Sequence, residues 1–221
     1  LQNKVDALTS EGKYQEAIAL LKKETDVPVS NAAVHAAILN ELGGLCRAVG
    51  LYEESQSAFT RAMDILIEFR GKDDPDYATT INNLAGTYRL MGNRNAAESL
   101  FIEAADVYAR TLGKDHFLYA SAINNLGLLY QDTKEFSKAE ILHKEALEIV
   151  KKDEGNPIAY ATTLNNLAGP YRATGRYKEA QAHAEEALEI YRKFLGEEHP
   201  LYASGLNNLA SLYALTNEYE K

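Results

Sequence analysis

Apolar residues recur along the chain at helical spacing. Ile81, Leu84, Ala85 and Tyr88 lie at i, i+3, i+4 and i+7, which places them on one face of a helix. The next stretch carries a second apolar face at helical spacing, formed by Ala97, Phe101, Ala104 and Tyr108. The strict apolar–polar alternation of a half-buried strand is absent. The pattern therefore predicts an all-α fold in which helices of this kind pack in pairs.

The same pattern returns at a fixed period. Asn-Asn-Leu begins at residues 82, 124, 165 and 207, separated by 42, 41 and 42 residues, and Asn40-Glu41-Leu42 is a degenerate fifth copy. Self-similarity with a period of this size indicates a solenoid of stacked helix pairs. We expect about eleven helices in a single α-solenoid that covers residues 1–221.

The repeat period sets the expected helix positions. First helices are expected near residues 31–48, 76–91, 118–133, 158–173 and 201–215. Second helices are expected near residues 13–25, 52–70, 94–112, 136–152 and 177–195. The expected repeats cover residues 31–75, 76–117, 118–157 and 158–200, with partial repeats at 1–30 and 201–221. Because both ends fall inside a repeat, we expect a fragment of a longer array.

The repeated residues resemble those of the tetratricopeptide repeat (TPR). The resemblance rests on Leu84-Ala85-x-x-Tyr88, followed at that family's spacing by Gly92, Ala97, Phe101 and Ala104. The 42-residue period and the extended second helix are similar, more narrowly, to the repeats of kinesin light chains. The resemblance implies a right-handed superhelix whose first helices line a concave groove. It also implies a scaffold for protein–protein interaction.

The polar face of the first helices is the candidate binding surface. By the resemblance, the row that contains Thr79, Asn82, Gly86 and Arg89 faces the groove. Asparagine amides both donate to and accept from a main chain, and arginines favour carboxylates, so this face suits an extended acidic peptide. The predicted peptide-binding residues are Asn82, Asn83, Asn124, Asn125, Asn165, Asn166, Asn207, Asn208, Arg47, Arg89, Arg172 and Gln131.

Other roles for these residues stay open at this point. The asparagines can instead bond to the neighbouring repeat and hold the superhelix together, and the arginines can pair with nearby acids. Two other functions compete with peptide binding. One is a structural or self-assembly module that associates through exposed solenoid ends, and the other is a sensor region of a larger regulator or enzyme.

Composition narrows the choice of partner and compartment. The chain carries 23 basic and 32 acidic residues, a net charge of −9, which argues against binding to nucleic acid or to an anionic membrane. Its one cysteine, Cys46, excludes an internal disulfide and fits a reducing compartment. We therefore expect a cytoplasmic protein with a protein or peptide partner.

No set of residues converges on catalysis. His116 and His199 occupy the same turn position in different repeats, which predicts helix capping. His143 and His183 lack the i, i+4 spacing of a metal site on a helix, and Cys46 takes the place of a core tyrosine in other copies. We expect no catalytic residue, no cofactor and no metal. Pro170 lies inside an expected helix, so we also expect a bend near residues 158–174.

Overall fold

The structure, a computed structural model, describes residues 1–25, 31–153 and 155–216. Over these ranges it contains eleven α-helices and no strand, which confirms the predicted all-α fold. The helices are α1 (Gln2–Ser10), α2 (Tyr14–Thr25), α3 (Ala32–Ala48), α4 (Tyr52–Arg70), α5 (Pro75–Leu90), α6 (Arg94–Thr111), α7 (Phe117–Asp132), α8 (Phe136–Val150), α9 (Pro157–Ala173), α10 (Tyr177–Leu195) and α11 (Pro200–Thr216). Every helix with an expected position lies within two residues of it at both ends.

The chain divides into two compact units, Leu1–Leu112 and Gly113–Lys221, which we call unit 1 and unit 2. In unit 1, each of α1 to α5 packs on the helix that follows it, and the first helices α3 and α5 also touch. In unit 2, α7 to α11 pack in the same way, and α9 touches both α7 and α11. Each unit is therefore built from stacked helix pairs, the arrangement of a TPR-type α-solenoid. The single array and the repeat boundaries stay predictions, and residues 26–30 and 217–221 of its partial repeats lie outside the described residues.

Unit 1 buries the apolar stripe that the sequence predicts. Ile81, Ala85 and Phe101 are fully buried, and Cys46 is buried in the core as expected. Helix α5 begins where Asp74 accepts a hydrogen bond of 2.8 Å from the main-chain nitrogen of Asp76, with a proline in the first turn. This cap satisfies one of the amide groups that a helix start leaves without a partner.

Unit 2 repeats this construction. One of its core clusters joins α9, α10 and α11 and contains Leu167, Ala168, Tyr171, Ala180, Ala184, Leu209 and Leu212. The ring nitrogen Nδ1 of His116 accepts from the main-chain nitrogen of Leu118 at 3.2 Å, and His199 accepts from Leu201 at 3.2 Å. The two histidines cap helix starts, which confirms the prediction made from their repeated turn position.

Candidate binding face of the first helices

Three asparagines of the first helices make contacts between repeats. In unit 1, Asn40 donates from Nδ2 to Oγ1 of Thr80 at 2.8 Å. In unit 2, Asn208 donates from Nδ2 to Oδ1 of Asn165 at 3.0 Å. Asn124 and Asn165 are only 8% exposed. The amides of Asn40, Asn165 and Asn208 therefore hold adjacent first helices together.

Two of the predicted peptide-binding residues, which occupy the same repeat position, reach into the next repeat. Arg47 on α3 donates from Nη1 to the main-chain oxygen of Asn83 on α5 at 2.9 Å. Gln131 on α7 donates from Nε2 to the main-chain oxygen of Asn166 on α9 at 3.1 Å. We call Arg47 and Gln131 the bridging residues. Burial, and secondarily the charge of Arg89, lowers the pKa of the Arg47 guanidinium, although it stays protonated at neutral pH.

The glycines opposite the bridging residues leave room for the bridging side chains. A Cβ built on Gly86 meets Nη1 of Arg47 at 2.7 Å, and one built on Gly169 overlaps Oε1 of Gln131. Gly44 occupies the same repeat position, and nothing lies within 4 Å of its built Cβ. The structure shows that Gly86 and Gly169 admit the bridging side chain.

A buried histidine lies behind the bridging residue of unit 2. His143 on α8 is fully buried, and its Nε2 lies 2.7 Å from Nε2 of Gln131. Its Nδ1 lies 2.7 Å from Oδ1 of Asn124. Burial lowers the pKa of His143 to about 4, so the ring is neutral at pH 7. Sequence reasoning gave His143 no role. The equivalent positions in the two preceding repeats hold Phe59 and Phe101, and this exchange of Phe for His was the available signal.

The hydrogen bond from Gln131 to Asn166 also accommodates Pro170. Helix α9 is continuous from Pro157 to Ala173, with Pro170 in its last turns. A proline has no main-chain N–H, so the helix offers no donor from this position to the carbonyl of Asn166. That carbonyl accepts from Gln131 instead. The missing helical hydrogen bond is thereby replaced from the neighbouring helix.

A cavity of about 180 Å³ opens on the first-helix face of unit 2. It is lined by Leu128, Gln131, Asn165, Asn166, Ala168, Gly169, Arg172, Ser204, Asn208 and Leu212. The side-chain amide of Asn166 and the guanidinium of Arg172 are half-buried there, and neither has a hydrogen-bond or ion-pair partner among the described residues. The cavity therefore presents an amide and a positive charge whose bonding capacity is not used by the described part of the chain.

The other predicted residues are distributed over both units. In unit 1, Asn82, Asn83 and Arg89 are half-buried on α5, and the amide of Asn83 has no partner among the described residues. In unit 2, Asn125 is half-buried on α7, and Asn207 is exposed on α11 outside the cavity. The structure thus brings Gln131, Asn165, Asn166, Arg172 and Asn208 together around one cavity.

The described residues contain no group of three or more histidine, cysteine, aspartate or glutamate side chains arranged to hold a metal ion. Within the same ranges, no helix combines the length and apolar character needed to cross a bilayer.

A model of the tetratricopeptide repeat matches residues 34–101, 78–152 and 160–221. The chain belongs to the tetratricopeptide repeat family. TPR arrays are generally scaffolds for protein–protein interaction and are typically non-catalytic. A comparison with curated proteins gives no match.

Solved structures share the TPR fold over most of the chain. BtubC (BKLC) from P. vanneervenii is 26% identical with a TM-score of 0.72, and the match covers 89% of this chain and 80% of that one. A kinesin light chain structure from Podosopora anserina, whose TPR-like repeats are nearly identical to one another, is 21% identical to this chain with a TM-score of 0.67. The match covers 86% of this chain and 90% of that one. MamA is 20% identical, with a TM-score of 0.55 and coverages of 86% and 95%. These likenesses confirm the predicted TPR fold with kinesin light chain-like repeats.

Proposed function

We propose that this TPR chain is a non-catalytic interaction module that binds an extended acidic segment of a partner protein on the first-helix face of unit 2. The observation that carries the proposal is the pairing of Asn166 and Arg172 in one cavity. Both are polar, both are half-buried, and neither has a hydrogen-bond or ion-pair partner among the described residues.

The chemistry of the two side chains defines the ligand. A primary amide offers two donors and an acceptor oxygen, which suits the alternating groups of an extended main chain. A guanidinium prefers a carboxylate, because it forms charge-assisted and bidentate hydrogen bonds with it. Arg172 is therefore the residue that selects aspartate, glutamate or a terminal carboxylate, while Asn166 binds the main chain.

Binding of useful strength needs several such contacts. One net hydrogen bond contributes about 0.5–1.5 kcal/mol, whereas micromolar affinity requires about 8 kcal/mol. Asn83 presents an amide at the same repeat position in unit 1, and this amide also has no hydrogen-bond partner among the described residues. We infer that the second asparagine of the pair is the main-chain contact in these two repeats. The single buried Cys46 supports a reducing compartment, for which we propose the cytoplasm.

The proposal is tested with two pools of short labelled peptides, one rich in Asp and Glu and one rich in Lys and Arg. Fluorescence anisotropy should show that the acidic pool binds and that added salt weakens it, because exposed charge pairs are screened over about 8–10 Å. Arg172→Gln should weaken binding about tenfold, the equivalent of 1.4 kcal/mol, and reduce the salt dependence. Asn166→Ala should weaken binding without reducing the salt dependence.

Matched variants make the same chemical changes away from the cavity. Lys178→Gln removes one exposed positive charge from α10, and Asn95→Ala removes one exposed amide from α6. Both should bind the acidic pool as the unmodified chain does. Equal binding of the two pools, or an equal loss in Lys178→Gln and Arg172→Gln, would contradict the proposal. Light scattering against concentration identifies self-association, the competing outcome.

A further inference from the structure

The hydrogen bonds around His143 have only one consistent direction. The main-chain oxygen of Asn166 can only accept, so Gln131 must turn its nitrogen and not its oxygen toward it. The same nitrogen lies 2.7 Å from Nε2 of His143, and its second hydrogen points to that ring atom. Nε2 must therefore accept, which puts the proton of the neutral ring on Nδ1. Nδ1 in turn lies 2.7 Å from Oδ1 of Asn124, which accepts that proton.

We propose that His143 is a positioning residue of the unit 2 binding face. Held as the neutral Nδ1–H tautomer, it fixes the Gln131 amide, which then holds the main chain of Asn166 at the point where Pro170 removes the helical donor. The link to ligand binding rests on the proposed function, because Asn166 is the residue whose side-chain amide lines the cavity. The orientation of Gln131 does not depend on any ligand.

Comparison between repeats separates this role from packing. Phe59 occupies the position of His143 in unit 1, and the guanidinium of Arg47 lies over its ring at 5.7 Å from the centroid. A glycine faces each ring: a Cβ built on Gly43 comes within 2.8 Å of Phe59, and one built on Gly127 comes within 2.6 Å of His143. The space for a ring is thus the same in both repeats. What His143 adds is a pair of ring nitrogens.

The chemistry of the bridging residue explains why the ring differs. A guanidinium is attracted to the face of a phenyl ring, so Arg47 is supported by Phe59. A glutamine amide is neutral, so it lacks the positive charge that a cation–π interaction with a phenyl ring requires. Its nitrogen is oriented instead by a hydrogen-bond acceptor, which Nε2 of His143 supplies. Arg47 is therefore matched with a phenyl ring that attracts its charge, and Gln131 with a ring nitrogen that accepts its hydrogen bond.

Nitrogen-15 NMR of the histidine rings in the intact chain tests the tautomer directly. We expect His143 to show the Nδ1–H form at pH 7. The second measurement uses His143→Phe, which introduces the residue that the two preceding repeats carry at this position. In this variant the helical content should stay unchanged, while hydrogen exchange of the Gln131 side-chain amide should accelerate by about tenfold as its acceptor is lost. His183→Phe, which replaces a half-buried histidine elsewhere on unit 2, should leave Gln131 unaffected.

Each outcome decides one part of the proposal. An Nε2–H tautomer, or unchanged hydrogen exchange of the Gln131 side-chain amide in His143→Phe, overturns the positioning of Gln131. The tautomer is measured in the unmodified chain, so this test holds even if the variant fails to fold. Binding of the acidic peptide pool should weaken by about tenfold in His143→Phe. If Gln131 exchanges faster but the peptide binds as before, the link to the binding face is overturned. If no acidic peptide binds to the unmodified chain, the proposed function fails while the NMR result stands.

Discussion

Arg47 donates a hydrogen bond of 2.9 Å from Nη1 to the main-chain oxygen of Asn83, on the next first helix of unit 1. Gln131 makes the corresponding bond to Asn166 in unit 2. Because both bonds end on a carbonyl of the main chain, they leave the side-chain amides of Asn83 and Asn166 available. The repeat thereby holds its first helices together and still presents an amide at the same residue.

Substitution by alanine at Gly44 and at Gly169, which occupy the same repeat position, should change the free energy of unfolding in opposite directions. Gly44→Ala should raise the free energy of unfolding by about 0.5–1 kcal/mol, because alanine is the better helix former and the built Cβ meets no atom. Gly169→Ala should lower it by about 1 kcal/mol, because the new methyl group displaces Gln131 and leaves the Asn166 carbonyl without a donor. Urea denaturation measures both values. Stabilisation by both variants would show that Gln131 moves aside without loss.

Gln131 and Pro170 should be energetically coupled. Gln131→Leu should cost about 1–3 kcal/mol in the unmodified chain, because it leaves the Asn166 carbonyl and the ring nitrogen of His143 without a donor. Pro170→Leu restores the helical N–H, so the same change in that background should cost about 1 kcal/mol less. A double-mutant cycle by denaturant unfolding gives the coupling. Additive effects would mean that Gln131 does not replace the missing helical donor.

Pro170→Leu alone should stabilise the chain by less than the full penalty of about 3 kcal/mol for proline inside a helix. The reason is that Gln131 already satisfies the carbonyl that proline leaves open. We expect a gain of about 1 kcal/mol in the same unfolding measurement. The expected bend near residues 158–174 stays a prediction, which residual dipolar couplings of α9 in the two forms would test.

Stability should fall as the pH falls below neutrality. The pKa of His143 is lowered by burial from its ordinary 6.5 to about 4 in the folded chain. Between these values the unfolded chain binds a proton at this residue and the folded chain does not, so protonation favours unfolding. The contribution lost on going from pH 7 to pH 4 is on the order of 3 kcal/mol. His143→Phe should lack this component, and identical pH profiles for the two chains would contradict the assignment.

Lys134 should be replaceable by glycine with a gain in stability. It is the only residue other than glycine with a positive φ among those described, at 62°, where Gly92 adopts 76° in the preceding repeat. A residue with a Cβ loses about 1–2 kcal/mol of stability in the left-handed region, and glycine avoids this loss. Glycine also has the more flexible unfolded chain, and this entropy offsets part of the gain. Lys134→Gly should therefore stabilise by about 0.5–1 kcal/mol, and Gly92→Ala should destabilise by a similar amount. Thermal unfolding followed by circular dichroism checks both.

The helices and their ends follow from local features of the sequence. Apolar residues at i, i+3, i+4 and i+7 define each buried face, and Asp74 before a proline starts α5 as the capping rule predicts. These signals act over a few residues, and a fixed period of 41 or 42 residues repeats them. Because each copy supports the same reading, the fold and the helix bounds were predictable without any tertiary information.

The partners of the polar residues were decided by tertiary structure. Gln131 and Asn166 are 35 residues apart, and Arg47 and Asn83 are 36 apart. A hydrogen bond forms only within about 2.7–3.2 Å and at a favourable angle, so the relative placement of two packed helices selects the acceptor. The sequence alone therefore determined which face of the first helices is polar. Only the packing decided that Arg47 and Gln131 bridge repeats, that His143 lies beside Gln131, and that Asn166 and Arg172 line one cavity.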